Sequence, residues 1–196
     1  ICFFLTIFTP AFYIAIITYN QETIPASLLT NLITQNEGIP FPATIETFFM
    51  IFICEMLRES DIRFPNNFSS SISILGALIL GDAAVSANIV SPIMIIITAL
   101  TFISSMIFSN VELSGAIRIW RFIAMIISSF YGLYGVALAF IFFIVSLSSY
   151  SSFGLPYTFP VVPFSLPYLK ETLYESDIHD NKKRSPYLTK NIRKQR

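Results

Sequence analysis

Long apolar runs alternate with short polar stretches along this chain, and the alternation predicts helices of membrane-spanning length. The runs cover residues 3–19, 72–87, 92–108 and 122–148. A hydrocarbon core of about 30 Å requires about 20 apolar residues in a helix, so each run predicts one crossing. We therefore expect an all-α integral membrane protein with about four transmembrane helices.

The segment 43–60 has a different pattern, because a broad apolar face is interrupted by three carboxylates. Glu46, Glu55 and Glu59 would make a lipid-exposed crossing costly. We expect an amphipathic or re-entrant helix whose apolar face packs on the bundle and whose charges face away. A fifth crossing here is the alternative. On an interfacial or re-entrant helix the carboxylates form either a solvated face or, in several copies of the chain, a charged vestibule at a cation entrance.

Residues 72–108 form the centre of the predicted fold and are interrupted near their middle. The residue before a proline is pushed out of the helical region, so Pro92 predicts a break at 89–91. The run contains one ionisable residue, Asp82, followed by Ser86 and Asn88. These three residues are candidates for a polar core or for the lining of a pore.

Small residues form a stripe on one face of the first half of this run. Side chains of this size let helix backbones approach closely in a membrane, where lipid does not drive helices together. The candidate packing residues, which lead towards Asn88, are Ser73, Ala77, Gly81 and Ala84.

The last apolar run follows two arginines and a tryptophan. Arg118, Trp120 and Arg121 predict an interfacial anchor, with charged heads that snorkel to the boundary beside an indole ring. Inside the run, Gly132 and Gly135 predict a bend or a close helix contact.

Composition supports membrane insertion, and the charge distribution predicts an orientation. The chain is 54% hydrophobic and 12% charged, far from an ordinary soluble domain. Residues 170–196 carry eight of the twelve Lys and Arg residues against four acids, giving +4, and residues 1–169 carry −4. We expect 1–169 to be a polytopic membrane domain and 170–196 a basic, disordered tail on the cytoplasmic side. Four prolines within 153–168 predict an extended run between them.

Residues suited to catalysis or to metal binding are scarce. Cys2 and Cys54 lie in apolar segments, and the one histidine, His179, lies in the polar tail. The sequence predicts no enzyme, no cofactor, no metal site and no nucleic-acid partner. Because the chain starts within an apolar run, we expect it to be the C-terminal piece of a longer protein.

Four stretches together resemble one family. They are GIPFPATIETFFMIFICEMLRESDIRFP (38–65), ILGALILGDAAVSANIVSPIMIIITALTFISS (74–105), AIRIWRFIAMIISSFYGLYG (116–135) and SFGLPYTFPVVPF (152–164). In order and spacing they are similar to the membrane region of the A subunit of spore germinant receptors, the GerA family. Members commonly carry glycine where this chain has Asn88.

The resemblance implies an upstream soluble domain, assembly with B and C subunits in the inner spore membrane, and homo-oligomers around an ion-conducting pore. Contact with membrane lipids is expected in any case. Half of a secondary transporter and a non-conducting membrane scaffold are the alternatives. A broken helix near mid-depth also marks transporter sites, and in a scaffold Asp82 would be a hydrogen-bonded packing group.

The charge of the tail makes the topology testable. A cysteine in place of Lys183 should resist a membrane-impermeant thiol reagent added from outside, because the positive tail is expected on the inside. The measurement is the rate of labelling before and after the membrane is permeabilised. Rapid labelling of intact membranes would contradict the predicted orientation.

Overall fold

Six α-helices account for most of the residues that the computed structural model describes, which are 1–63, 69–108, 110–152, 155–156, 158 and 164. They are α1 (Cys2–Thr18), α2 (Ala26–Asn36), α3 (Ala43–Arg63), α4 (Ser69–Ser86), α5 (Pro92–Met106) and α6 (Val111–Ser149). A 3-10 turn, Gln21–Thr23, joins α1 to α2. Two short strands, β1 (Ser151–Ser152) and β2 (Leu155–Pro156), pair antiparallel. The helical fold class is therefore confirmed for the described residues, apart from this strand pair.

The break between α4 and α5 lies where the sequence predicts it. Ser91 is the N-cap of α5 and Pro92 is its first residue, where a missing N–H costs nothing. Asn88 has a φ of 52°, in the left-handed region that glycine, and among other residues asparagine, tolerates best. Asparagine therefore adopts this conformation at less cost than most other residues would.

Contacts at both ends of the helices establish their directions within the compact unit Ile1–Phe140. Helices α3 and α5 run parallel, because Glu46 contacts Ser91 near their starts and the Arg58 guanidinium lies 5.4 Å from the Phe102 ring centre near their ends. Helix α1 runs opposite to α5, with the Phe3 ring 6.0 Å from that of Phe108.

Helix α4 runs opposite to α3 and α5, and each of its two glycines contacts one of these helices. A Cβ atom at Gly76 would lie 3.3 Å from Leu57 Cδ2, near the end of α3. A Cβ atom at Gly81 would lie 3.6 Å from Ile95 Cδ1, near the start of α5. Gly81 therefore packs where the small-residue stripe predicts, and Ala84 packs against the core. The side chains of Ser73 and Ala77 lie outside the described residues.

Helix α6 reverses direction at Gly132, which has φ 61° and ψ −140°. The first half starts beside the end of α3, since Ser114 contacts Arg58, and reaches α1, where Ser128 Oγ donates to the Ala11 carbonyl at 2.6 Å. After the reversal the helix returns along α1, and the ring of Phe140 lies 5.9 Å from that of Phe4. The predicted bend is confirmed as a turn between two antiparallel half-helices.

Residues at the end of α1 complete the hydrogen bonding at this reversal. Asn20 Oδ1 accepts from the Leu133 N–H at 3.3 Å, and Tyr19 Oη donates to the Ser129 carbonyl at 3.0 Å. A helix end leaves such groups without partners inside the helix. The α1 terminus therefore caps both half-helices of α6.

The buried core of this unit surrounds the start of α5. Tyr13, Met50, Val90 and Met94 form one buried apolar cluster, to which α1, α3, α5 and the junction before α5 contribute. The core therefore holds the α4–α5 break in place. In the second unit, Ile141–Arg196, the described residues are mainly the last turns of α6 and the strand pair.

Among the described residues, one helix is long and apolar enough to cross a membrane, judged by length and composition. It is Glu112–Ser149. Helices Cys2–Thr18 and Pro92–Met106 are apolar but shorter. The reversal at Gly132 divides the long helix into 111–131 and 133–149. The number of crossings predicted from the sequence, about four, stays a prediction.

One helix was not expected. Residues 20–38 lie in a polar stretch between the first apolar run and the segment 43–60, yet α2 forms an 11-residue helix there with a single buried residue, Leu32. Thr30 and Thr34 donate to carbonyls one turn earlier in the helix. Nearly all of the predicted proline-rich run, 153–168, and the whole basic tail lie outside the described residues.

The reversal of α6 predicts a specific glycine requirement. A Cβ atom at Gly135 would lie 2.5 Å from the Ile127 carbonyl oxygen, so Gly135→Ala should push the half-helices apart and cost about 1–3 kcal/mol of stability. The measurement is unfolding of the purified protein in mild detergent. Gly115→Ala is the matched control, because no side-chain or distant backbone atom lies within 4 Å of its Cβ position. Equal stability of both variants would contradict the tight turn.

Candidate functional site

A buried carboxylate joins α3 to the start of α5. Glu46 is 3% exposed, and its Oε1 accepts hydrogen bonds from both the Ser91 N–H and the Ser91 hydroxyl, each at 2.6 Å. The Tyr13 hydroxyl lies 3.4 Å from Ser91 Oγ. Three helices therefore meet at this one serine.

The location of Glu46 accounts for its burial. The first N–H groups of a helix have no partner inside the helix, and the helix dipole favours negative charge there. Glu46 supplies that charge to α5 from another helix and satisfies the N–H of the N-cap residue. Burying a polar group costs free energy unless it is hydrogen-bonded, so the two bonds to Ser91 offset the cost of removing Glu46 from water.

A second buried carboxylate joins α3 to α6. Glu55 is 7% exposed and forms ion pairs with Arg118 and Arg121, and Arg121 is only 1% exposed. Arg118 Nε lies 2.9 Å from Glu55 Oε2 but outside hydrogen-bond geometry, so this contact is mainly electrostatic. Two guanidinium groups thus neutralise one carboxylate inside the bundle.

Two further charges of α3 extend this cluster towards its edge. Arg58 donates to Ser114 Oγ at 3.2 Å, with its guanidinium over the Phe102 ring. Glu59, 44% exposed in its side chain, lies 3.6 Å from Arg118. The cluster formed by Glu55, Arg58, Glu59, Arg118 and Arg121 is called the charge cluster below.

These contacts correct the interpretation of three predicted vestibule residues. Glu46 and Glu55 do not form a solvated face, because one caps α5 and the other neutralises two arginines within the same chain. Glu59 alone keeps substantial exposure, and it too lies beside an arginine. The vestibule, which requires several copies of the chain, stays a prediction.

The predicted interfacial anchor also needs correction. Arg121 does not snorkel to a boundary, since its guanidinium is buried against Glu55. Spacing along α6 does not distinguish a buried arginine from a surface one. Its counter-charge lies 66 residues earlier in the sequence, so the pair becomes visible only after folding.

Asp82, Ser86 and Asn88, predicted as a polar core or pore lining, are all exposed in the single chain. They are therefore not a polar core within this chain, because α4 turns Gly81 and Ala84 towards its neighbours. Asp82 and Ser86 lie one turn apart on the open side of α4. The remaining interpretation, a surface completed by other chains, stays a prediction.

The sequence did not indicate Tyr13 or Ser91 as parts of a site. The Ser-Pro pair predicted the start of a helix but not the carboxylate bound to it. Within the described residues, no group of three His, Cys, Asp or Glu side chains is arranged to hold a metal ion. What the structure offers is two buried carboxylates, each with its own partners, and one open polar face on α4.

Comparison with known sequences identifies the family. The profile of the Bacillus/Clostridium GerA spore germination proteins matches residues 1–187. The chain belongs to the GerA family. No solved structure matches it.

Several GerA relatives are similar over most of the chain. Spore germination protein KA of Bacillus subtilis (strain 168) is 42% identical over 188 residues, 96% of this chain and 35% of the relative. Uncharacterized membrane protein YfkQ of the same strain is 40% identical, over 86% of this chain and 33% of its own length. Spore germination protein XA of Bacillus anthracis is 36% identical, over 81% and 32%. The chain thus spans about a third of the length of these relatives.

The charge cluster predicts an asymmetric response to neutralisation. Glu55→Gln leaves Arg121 buried without its counter-charge, which costs about 3–5 kcal/mol. Glu59→Gln removes an exposed charge and should cost less than about 1 kcal/mol. Unfolding of both variants in detergent is the measurement.

Neutralising both partners provides the control for Glu55. The double variant Glu55→Gln, Arg121→Gln should recover part of the stability lost by Glu55→Gln alone, because no unpaired charge remains. An additive loss in the double variant would contradict the pairing.

Proposed function

We propose that this chain is the membrane part of a subunit of a nutrient-responsive spore germination receptor and that it oligomerises to form an ion-conducting pore. Its membership of the GerA family supports the germination role. The names of its relatives, which include spore germination proteins A1 and B1 of Bacillus subtilis (strain 168), support it further. A pore that conducts ions needs no catalytic residues. The named relatives are germination proteins.

The exposed polar face of α4 is the observation that carries the pore. Asp82 and Ser86 lie on the open side of a helix whose other residues from Ile74 onward are all apolar. An ionisable residue in an apolar helix is expensive unless it faces water or a partner. Several copies of the chain, arranged with this face inward, would place a ring of carboxylates along a water-filled path, which favours cations.

The proposed setting is the inner membrane of the bacterial spore, in a complex with B and C subunits. The apolar helices and the name of one relative, a membrane protein, support membrane insertion. The candidate packing residues Ser73, Ala77, Gly81 and Ala84 would hold α4 against its neighbours while Asp82 faces the path.

A transporter half is the second candidate and is less favoured. The break before Ser91 and the reversal at Gly132 are both turns between antiparallel helices, not the discontinuous membrane helices that mark transporter sites. Flux measurements separate the two candidates. A channel conducts its ion without a co-substrate, whereas a secondary transporter couples ion flow to substrate flux.

The pore makes a prediction for Asp82. Asp82→Asn keeps the size and hydrogen bonding of the side chain but removes its charge, so cation conductance or selectivity of the reconstituted receptor should fall. Glu37→Gln, an exposed carboxylate after α2, is the matched control and should conduct normally. Nutrient-triggered germination is measured in parallel. Unchanged conductance and selectivity in an assembled Asp82→Asn receptor would contradict the role of Asp82.

A further inference from the structure

Helix α3 buries two carboxylates and exposes several large apolar side chains, unlike a helix on the surface of a soluble protein. Glu46, Thr47 and Glu55 face the inside of the bundle and are buried. The opposite face carries large apolar side chains that are 49–57% exposed, namely Ile45, Phe49, Phe52 and Met56. We call these four residues the outer face of α3.

The two faces follow from the spacing of the residues. Ile45, Phe49, Phe52 and Met56 are separated by four, three and four positions, which places them on one side of a helix. The sequence therefore shows the apolar stripe but not its direction. In a soluble protein the stripe would be expected to face the core, as we predicted, and the structure places it outside.

The inward charges of α3 do not prevent contact with hydrocarbon, because each has partners within the chain. Glu46 caps α5 through Ser91, and Glu55 is neutralised by Arg118 and Arg121. In membranes, ionisable residues almost always face the bundle interior and pair there. A carboxylate makes a crossing costly only where it faces lipid, and Glu46 and Glu55 do not.

By length alone α3 also fits a crossing. Its 21 residues extend about 31 Å at 1.5 Å per residue, close to the hydrocarbon thickness of about 30 Å, and its last turns, which carry Arg58, Glu59, Asp61 and Arg63, would then lie at one boundary. Helices α1 and α5 run beside it in opposite and parallel directions. Exposed apolar side chains are also present on α5, at Ile96 and Ile103.

We propose that the outer face of α3 contacts lipid hydrocarbon and that α3 crosses the bilayer with its carboxylates turned into the bundle. Water is a poor match for this face, since contiguous exposed apolar patches are rare on soluble surfaces. This inference concerns how the chain is embedded and does not depend on the pore.

Spin labels test which medium covers the outer face. Cys2 and Cys54 are replaced by serine in the full-length protein, and nitroxides are attached at Phe49→Cys and Phe52→Cys after reconstitution into phospholipid vesicles. In lipid, collisions with oxygen are frequent and those with a water-soluble nickel chelate are rare. A label at Glu22→Cys, exposed in the polar turn after α1, provides the aqueous reference with the opposite ratio.

Each outcome of the collision measurements decides the proposal. High oxygen and low nickel collision rates at both outer positions support contact with hydrocarbon. The ratio of the aqueous reference, with frequent nickel collisions and fewer oxygen collisions, would show a water-facing helix and overturn it. Low rates with both reagents would show that another protein chain covers the face, and would overturn it as well.

Labelling from the two sides of the membrane tests the crossing itself. Ile39 precedes the start of α3, whereas Asn110 precedes Ser114, which contacts Arg58 near the other end of α3. Cysteines at these two positions should react with an impermeant reagent from opposite sides of sealed vesicles. Reaction of both from the same side would overturn the crossing and leave α3 as an interfacial or re-entrant helix.

Discussion

The two hydrogen bonds that Glu46 accepts from Ser91 are the contact on which the rest of the helix arrangement depends. They fix where α5 begins and join it to α3, and Tyr13 brings α1 to the same serine. Because the break between α4 and α5 lies at this point, the direction of α4 and the exposure of Asp82 follow from it. A carboxylate that is costly to bury thereby acts as the organising residue of the core.

Neutralisation of charge inside the bundle is the second constraint. Glu55 and Arg121 are both nearly inaccessible to solvent, and their mutual attraction offsets the cost of removing each charge from water. Their pairing joins α3 to α6 at the opposite end of α3 from Glu46. Since Glu46 and Glu55 of α3 have polar partners inside, they share the inner side with Met50 and Ile51, and a second stripe of apolar side chains faces outside.

Local features of the fold could be predicted from the sequence, whereas features that depend on distant partners could not. The Ser91-Pro92 pair predicted the break, and Gly132 and Gly135 predicted the bend, because each acts on its own backbone. The partners of Glu46 and Glu55 lie 45 and 66 residues away, and periodicity gives no information on them. For this reason the apolar stripe of α3 was predicted correctly but assigned to the wrong side, and Arg121 was placed at a boundary.

The reversal of α6 at Gly132 has a consequence for how the chain is synthesised. Polar residues commonly mark a turn between two helices, but here the sequence around the turn is FYGLYG. The two halves are therefore synthesised as one apolar stretch. Tyr19 and Asn20, whose side chains cap the turn, are synthesised before it. Separation of the two halves thus relies on α1, which has to be folded first.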